Sequence, residues 1–181
     1  MKKIIFASVV AVFISFTFIS CGPSSKDAKA YNDALVAQEE QVINAEKELV
    51  LALTKNLSAS QTDAAYEKLL KQLEKSTDSV KSVKDFNGKS DLKDALMVLF
   101  ETYKTVVNKD YPEIIKLNKT NDTIITMAED FDKKIEITDH IDSVLNASID
   151  KFEKVHMEFA KKYRLEFTDK KEQAVTEEKK K

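Results

Sequence analysis

Three places in this chain hold side chains whose type and spacing could do chemistry. The first is Cys21, the one thiol among 181 residues. A lone thiol can attack an electrophile or take a covalent group, but it has no disulfide partner within the chain. The second is Glu153-Lys154-Val155-His156. A glutamate and a histidine three apart on a helix share a face, so both could reach one metal ion. A dinuclear carboxylate centre needs a second pair of this kind and two further inward glutamates. The other histidine, His140, has Ile137 three positions before it, so the second pair is missing. The third place is Asp139, His140 and Asp142, which fall at a predicted helix start, where acids complement the helix dipole. Hydrolysis would need an activated nucleophile beside a base. The sequence shows no Gly-x-Ser-x-Gly and no Cys/His set. It therefore predicts no enzyme, no catalytic residue and no cofactor, with Glu153 and His156 as a weak metal pair on the border of an apolar seam.

The setting of Cys21 says more. Lys2 and Lys3 precede a run from Ile4 to Ile19 with almost nothing polar, and Ser20 follows. A basic start, an apolar stretch and a small residue make a secretory signal. The run is about sixteen residues long, short of the roughly 20 that cross a bilayer as a helix. Phe18-Ile19-Ser20-Cys21 resembles the bacterial lipobox, with Phe18 where leucine is commoner. In that family the thiol is lipidated, the signal is cut before the cysteine, and the new amino terminus is acylated. The resemblance implies removal of residues 1–20 and a membrane anchor of acyl chains on Cys21. One chain holds only marginally and two or more hold durably. Residues 21–26 would be the lipidated cysteine and a short tether. Gly22, Pro23, Ser24 and Ser25 lack the aspartate that retains enterobacterial lipoproteins in the inner membrane, which implies outer-membrane sorting.

The body that such an anchor would carry is helical by pattern. The chain has two glycines, two prolines and a net charge of −2. Sheets with tight turns need more turn residues, and a nucleic-acid binder would show a basic patch. From Asp27 to Leu57, Tyr31, Leu35, Val42, Ala45, Leu49 and Ala52 fall on one helical stripe. Ser60 is the predicted cap of a second helix that runs to about Phe86, with Tyr66, Leu69, Leu73 and Val80 inward; Asn87-Gly88 ends it. A third helix starts at Ser90 or Asp91 and carries Leu92, Leu96, Leu99, Tyr103 and Val106. Its period resumes after Pro112 through Ile114, Leu117, Asn121 and Phe131. A helix-interior proline costs about 3 kcal/mol, so the third helix is predicted to kink or break near Pro112. Residues 133–137 read as a connection, and Thr138 as the cap of a last helix with Ile141, Leu145, Ser148, Phe152, Val155 and Phe159 inward. Arg164 to Phe167 alternate and read as extended. Short connections make neighbours antiparallel, so the predicted fold is an all-α, up-down-up-down four-helix bundle over residues 27–167. Residues 168–181 read as a disordered charged tail.

Gln38 and Asn121 interrupt otherwise apolar stripes. Buried polar groups need partners, so these two either fix helix register or border a ligand cavity. The lipobox, the helical body and Phe159-Ala160-Lys161-Lys162-Tyr163 together resemble small helical-bundle lipoproteins and surface proteins of Bacteroidota and spirochaetes. That resemblance implies an envelope location and no activity. The expectation is a lipid-anchored, non-enzymatic binding module in the bacterial envelope, with a protein partner there or outside and no nucleic acid. Two alternatives stand beside it: a carrier of a small ligand between the helices, and a metal protein of the ferritin-like kind that the Glu153/His156 spacing resembles.

Overall fold

The computed structural model describes residues 24–119 and 124–166, with side chains for 24–119 and 129–166. Cys21, Asn121 and the tail from 168 lie outside the described residues. Within them the chain forms four helices: α1 Ser25–Thr54, α2 Ala59–Ser82, α3 Asp91–Lys119 and α4 Ile124–Tyr163. The all-α four-helix bundle read from the sequence is the observed fold.

Cross-links between neighbours show the antiparallel order. Glu48 meets Lys68 and Gln41 meets Gln72, so α2 runs back along α1. Tyr66 reaches the Val107 carbonyl and Asp63 reaches Lys119, so α3 reverses again. Thr102 meets Ser148 and Glu113 meets Lys133, which reverses α4. The stripe of α1 is buried as patterned, through Tyr31, Leu35, Val42, Ala45, Leu49 and Ala52. Helix α3 buries the widest arc, from Leu92 through Phe100 and Val107 to Leu117. Phe152, Ile141 and Leu145 of α4 close the core.

The helix ends have local causes. Ser24 caps α1: its hydroxyl accepts from the Asp27 amide, and the Asp27 carboxylate accepts from the Ser24 amide at 3.1 Å. Ser25 and Lys26, assigned to the segment 21–26 before the bundle, are therefore helical. Ser58, not Ser60, caps α2, because Gln61 stands three residues on and completes the same reciprocal pair. Helix α2 stops at Ser82, short of the predicted Phe86. Phe86 and Lys89 exchange both backbone hydrogen bonds at 3.0 Å around Asn87 and Gly88, whose φ values are 53° and 69°. Two left-handed residues in succession make a tight reversal that Asn-Gly adopts readily. Arg164 takes φ 55°, and the Leu165 amide bonds the Ala160 carbonyl at 2.9 Å, ending α4 in a left-handed closure where an extended segment was predicted.

Of the two readings at Pro112 the single helix is the observed one, and one predicted break, at residues 133–137, is corrected. Helix α3 passes through Pro112 and ends only at Lys119. Proline leaves the Asn108 carbonyl without its amide, yet Tyr111, Ile114 and Ile115 are buried around it, and that packing outweighs the lost bond. Residues 133–137 are helical, and Thr138 lies inside α4 with its hydroxyl donating to the Lys134 carbonyl at 2.8 Å. Phe131, assigned to an inward stripe of the third helix, is on α4 and is 62 % exposed.

The turn generates a clean test. A Cβ at Gly88 would meet nothing within 4 Å, so Gly88→Ala suffers only the left-handed backbone penalty. Urea unfolding should show a loss of about 1 kcal/mol. Leu99→Ala, at a fully buried position, should lose about 2–5 kcal/mol.

Candidate functional site

A row of half-buried polar side chains follows the line where α1 faces α4. Asn32, Glu39 and Glu46 stand seven residues apart, two helical turns each, beside the apolar stripe of α1. At the first level, His156 bonds the Asn32 side-chain oxygen at 2.7 Å and stacks on Phe152 at 5.6 Å between ring centroids. At the second, half-buried Glu39 comes within electrostatic reach of Glu153. At the third, Glu46 accepts hydrogen bonds from two tyrosines of α3, Tyr111 at 2.8 Å and Tyr103 at 3.0 Å, with Asp142 of α4 nearby.

Burial sets the charge of this line. Desolvation, then Glu153 and then Glu40 push the Glu39 carboxyl up to about 7. Burial also raises Glu46, although the Tyr111 and Tyr103 hydroxyls pull the other way by bonding its charged form. Both phenols are held above their ordinary value by burial and by Glu46. Burial lowers His156, opposed by Glu153. Glu46 has both oxygens occupied by phenol donors, so it is poorly placed to take a proton from a third molecule. What it can do is join α1 to α3 in one register, since no other spacing lets one carboxylate reach both tyrosines.

The residues singled out in the sequence fall as follows. Gln38 is half-buried, and its side-chain oxygen is enclosed without a hydrogen-bond partner. Asn121 and Cys21 are outside the described residues. Glu153 is exposed and His156 half-buried; the structure brings Glu153 towards Glu39 and His156 onto Asn32. Among the described residues no group of three or more His, Cys, Asp or Glu could hold a metal ion. Sequence reasoning missed Glu39, Glu46 and the Tyr103/Tyr111 pair. The available signal was the repeated polar residue at 32, 39 and 46 next to an apolar stripe.

Several cavities open among the described residues, and three stand out. One of about 320 Å³ lies at the end where α1 begins, walled by Tyr31, Phe86, Phe159 and Tyr163. These rings stack and tilt at 4.8–5.7 Å. A second, of about 520 Å³, lies between α3 and α4. A third, of about 530 Å³, is a charged groove between α2 and α3. Gln38 lines none of them. Among the described residues, no helix is long and apolar enough to cross a membrane. Compared with known protein families, curated proteins and solved structures, the chain matches none.

The acidic line makes stability fall as pH rises. Unfolded Glu39 titrates near 4.5 and folded Glu39 near 7, so between these values the folded state holds the extra proton. The penalty is absent below about pH 4.5 and complete above about pH 7. Glu39→Gln should therefore raise stability at pH 8 by on the order of 2 kcal/mol and leave it nearly unchanged at pH 4. His156 has the opposite sign: its burial penalty is present at low pH and is relieved as pH rises from its lowered folded value to its unfolded value, so the comparison belongs on a His156→Gln background as well. Glu46→Ala, which strands two phenols, should lose about 2 kcal/mol in denaturant unfolding.

Proposed function

We propose that this chain is a lipid-anchored, non-enzymatic binding module of the bacterial envelope, held by acyl chains on Cys21 and engaging a protein partner with its far end. One observation carries the reading: the molecule has unlike ends. The lipobox-like Phe18-Ile19-Ser20-Cys21 stands three residues before the Ser24 cap, so an anchor there meets the bundle at the α1 start. The opposite end holds most of the exposed large apolar side chains. Val50, Leu51 and Leu57 lie at the α1 end and the loop after it, and Phe131 and Ile135 lie early in α4. Apolar side chains left in water at one end favour association. Val50 and Leu51 stand about 38 Å along α1 from its first residue, at about 1.5 Å per residue. An outer-membrane site, which rests on the residues after Cys21, belongs to the same proposal, as does kinship with the Bacteroidota and spirochaete group, which rests on the lipobox, the helical body and Phe159 to Tyr163.

The test has two parts. Cys21→Ser expressed in the native cells should move the protein from the membrane fraction to the soluble fraction, and the wild type should incorporate labelled palmitate. A photo-crosslinking residue at Phe131 or Leu51 in intact cells should give a discrete protein adduct, while one at Lys75 should not. Absence of label on the wild type removes the anchor, and equal adducts at all three positions remove the end-on partner.

A further inference from the structure

The cleft between α3 and α4 contains a feature the bundle does not need for its own stability. Asp110 is 5 % exposed and lines this cleft of about 520 Å³, and its Oδ2 is fully enclosed with no hydrogen-bond donor. A buried polar oxygen left unpaired is costly. An apolar residue at position 110 would have packed on α4 without that cost. The remainder of the cleft fits a particular kind of donor. Val98, Val106 and Val144 line it, and no lysine or arginine is among its lining residues. The Thr102 hydroxyl also lines it, but it is committed to the Val98 carbonyl at 3.1 Å and to Ser148 at 3.1 Å. With Thr102 opposite Ser148 in antiparallel helices, eight residues further along α3 and eight back along α4 put Asp110 level with His140. The Thr102–Ser148 bond thus marks one end of the cleft and the Asp110/His140 level the other.

We propose that this cleft is a binding site for a small organic ammonium ion. Its nitrogen donates to Oδ1, the Asp110 carboxyl oxygen that is not enclosed, and its hydrocarbon part lies on the valine wall. Asp110 calls for a donor, which excludes anions. A charged donor on a carboxylate makes a stronger bond than a neutral one. Apolar walls with a few polar groups are the usual composition of a small-molecule site; here Met97 and the three valines stand with Asp110, Thr105 and His140. The inference is independent of the tether and of the end-on partner. Glu101, at the rim, is exposed and loosely paired with Lys104 at 3.9 Å, so it is not the anchor.

The experiment is a methyl NMR titration of residues 21–181 with n-butylammonium, n-butanol and butyrate. Saturable shifts at Val98, Val106 and Val144 are expected with n-butylammonium. Binding should be at least tenfold weaker with n-butanol and absent with butyrate. Asp110→Asn, close to isosteric, should weaken n-butylammonium at least tenfold, and Glu101→Gln should change it less than twofold. Should Asp110→Asn fail to fold, Val144→Trp fills the cleft with Asp110 intact and should abolish the shifts. Equal binding of the alcohol and the ammonium overturns the proposal. So does a wild type that shows no saturable shift, or binding that survives Val144→Trp.

Discussion

Helix α3 has to be covered on more than one side, and the remainder of the bundle follows from that. Its buried residues run from Leu92 to Leu117 and include Leu99, Phe100, Tyr103, Val106 and Val107, an arc too wide for one neighbour. A helix with so broad an apolar surface is stable only when several partners wrap it. Helices α2 and α4 take its two flanks, and α1 reaches it through Glu46. The same wrapping explains why Pro112 does not end it. The hydrogen bond that proline removes is one local term, whereas Tyr111, Ile114 and Ile115 bury large apolar surfaces within a turn on either side.

The line between α1 and α4 is built differently. Asn32 bonds His156 across it, Glu39 faces Glu153 and Glu46 faces Asp142 as like charges, and the Tyr31–Phe159 pair supplies an apolar contact at one end. Carboxyl groups placed close together and partly out of water are easier to bury protonated than charged. Of the bundle's four sides, the fourth, between α1 and α4, therefore carries half-buried titratable groups beside its apolar contacts. That fourth side is the one whose strength depends on the surrounding medium, while Glu46 and its two tyrosines keep the helices in step.

The periodicity of the sequence was enough to place the core. Leu35, Leu49, Leu69, Leu96 and Phe152 were assigned inward from spacing alone and are buried. The junctions were harder, for physical reasons. At Pro112 local propensity left a single bent helix and two helices both open, and only tertiary burial decides for one. Residues 133–137 looked like a connection because Thr138 resembled a cap, whereas a threonine inside a helix can turn its hydroxyl back to the carbonyl four residues earlier. Ser58 and Ser60 are both competent caps, and the choice between them lies in Gln61, three positions from Ser58. The polar line was least visible. Glu39 and Glu46 look like ordinary surface acids until α3 and α4 are packed beside them, because a carboxyl acquires an unusual proton affinity only from what surrounds it.

The stacked rings at the base of the bundle have a topological corollary. Tyr31 near the start of α1 touches Phe159 near the close of α4, at 5.6 Å between centroids. Beginning and end of the folded body are therefore neighbours, as they often are in domains that accept circular permutation. A short bridge between them, with a new opening cut in the exposed loop after Thr54, would preserve every helix pairing. The order in which the four rods are strung is thus one of several equivalent wirings of the same packing.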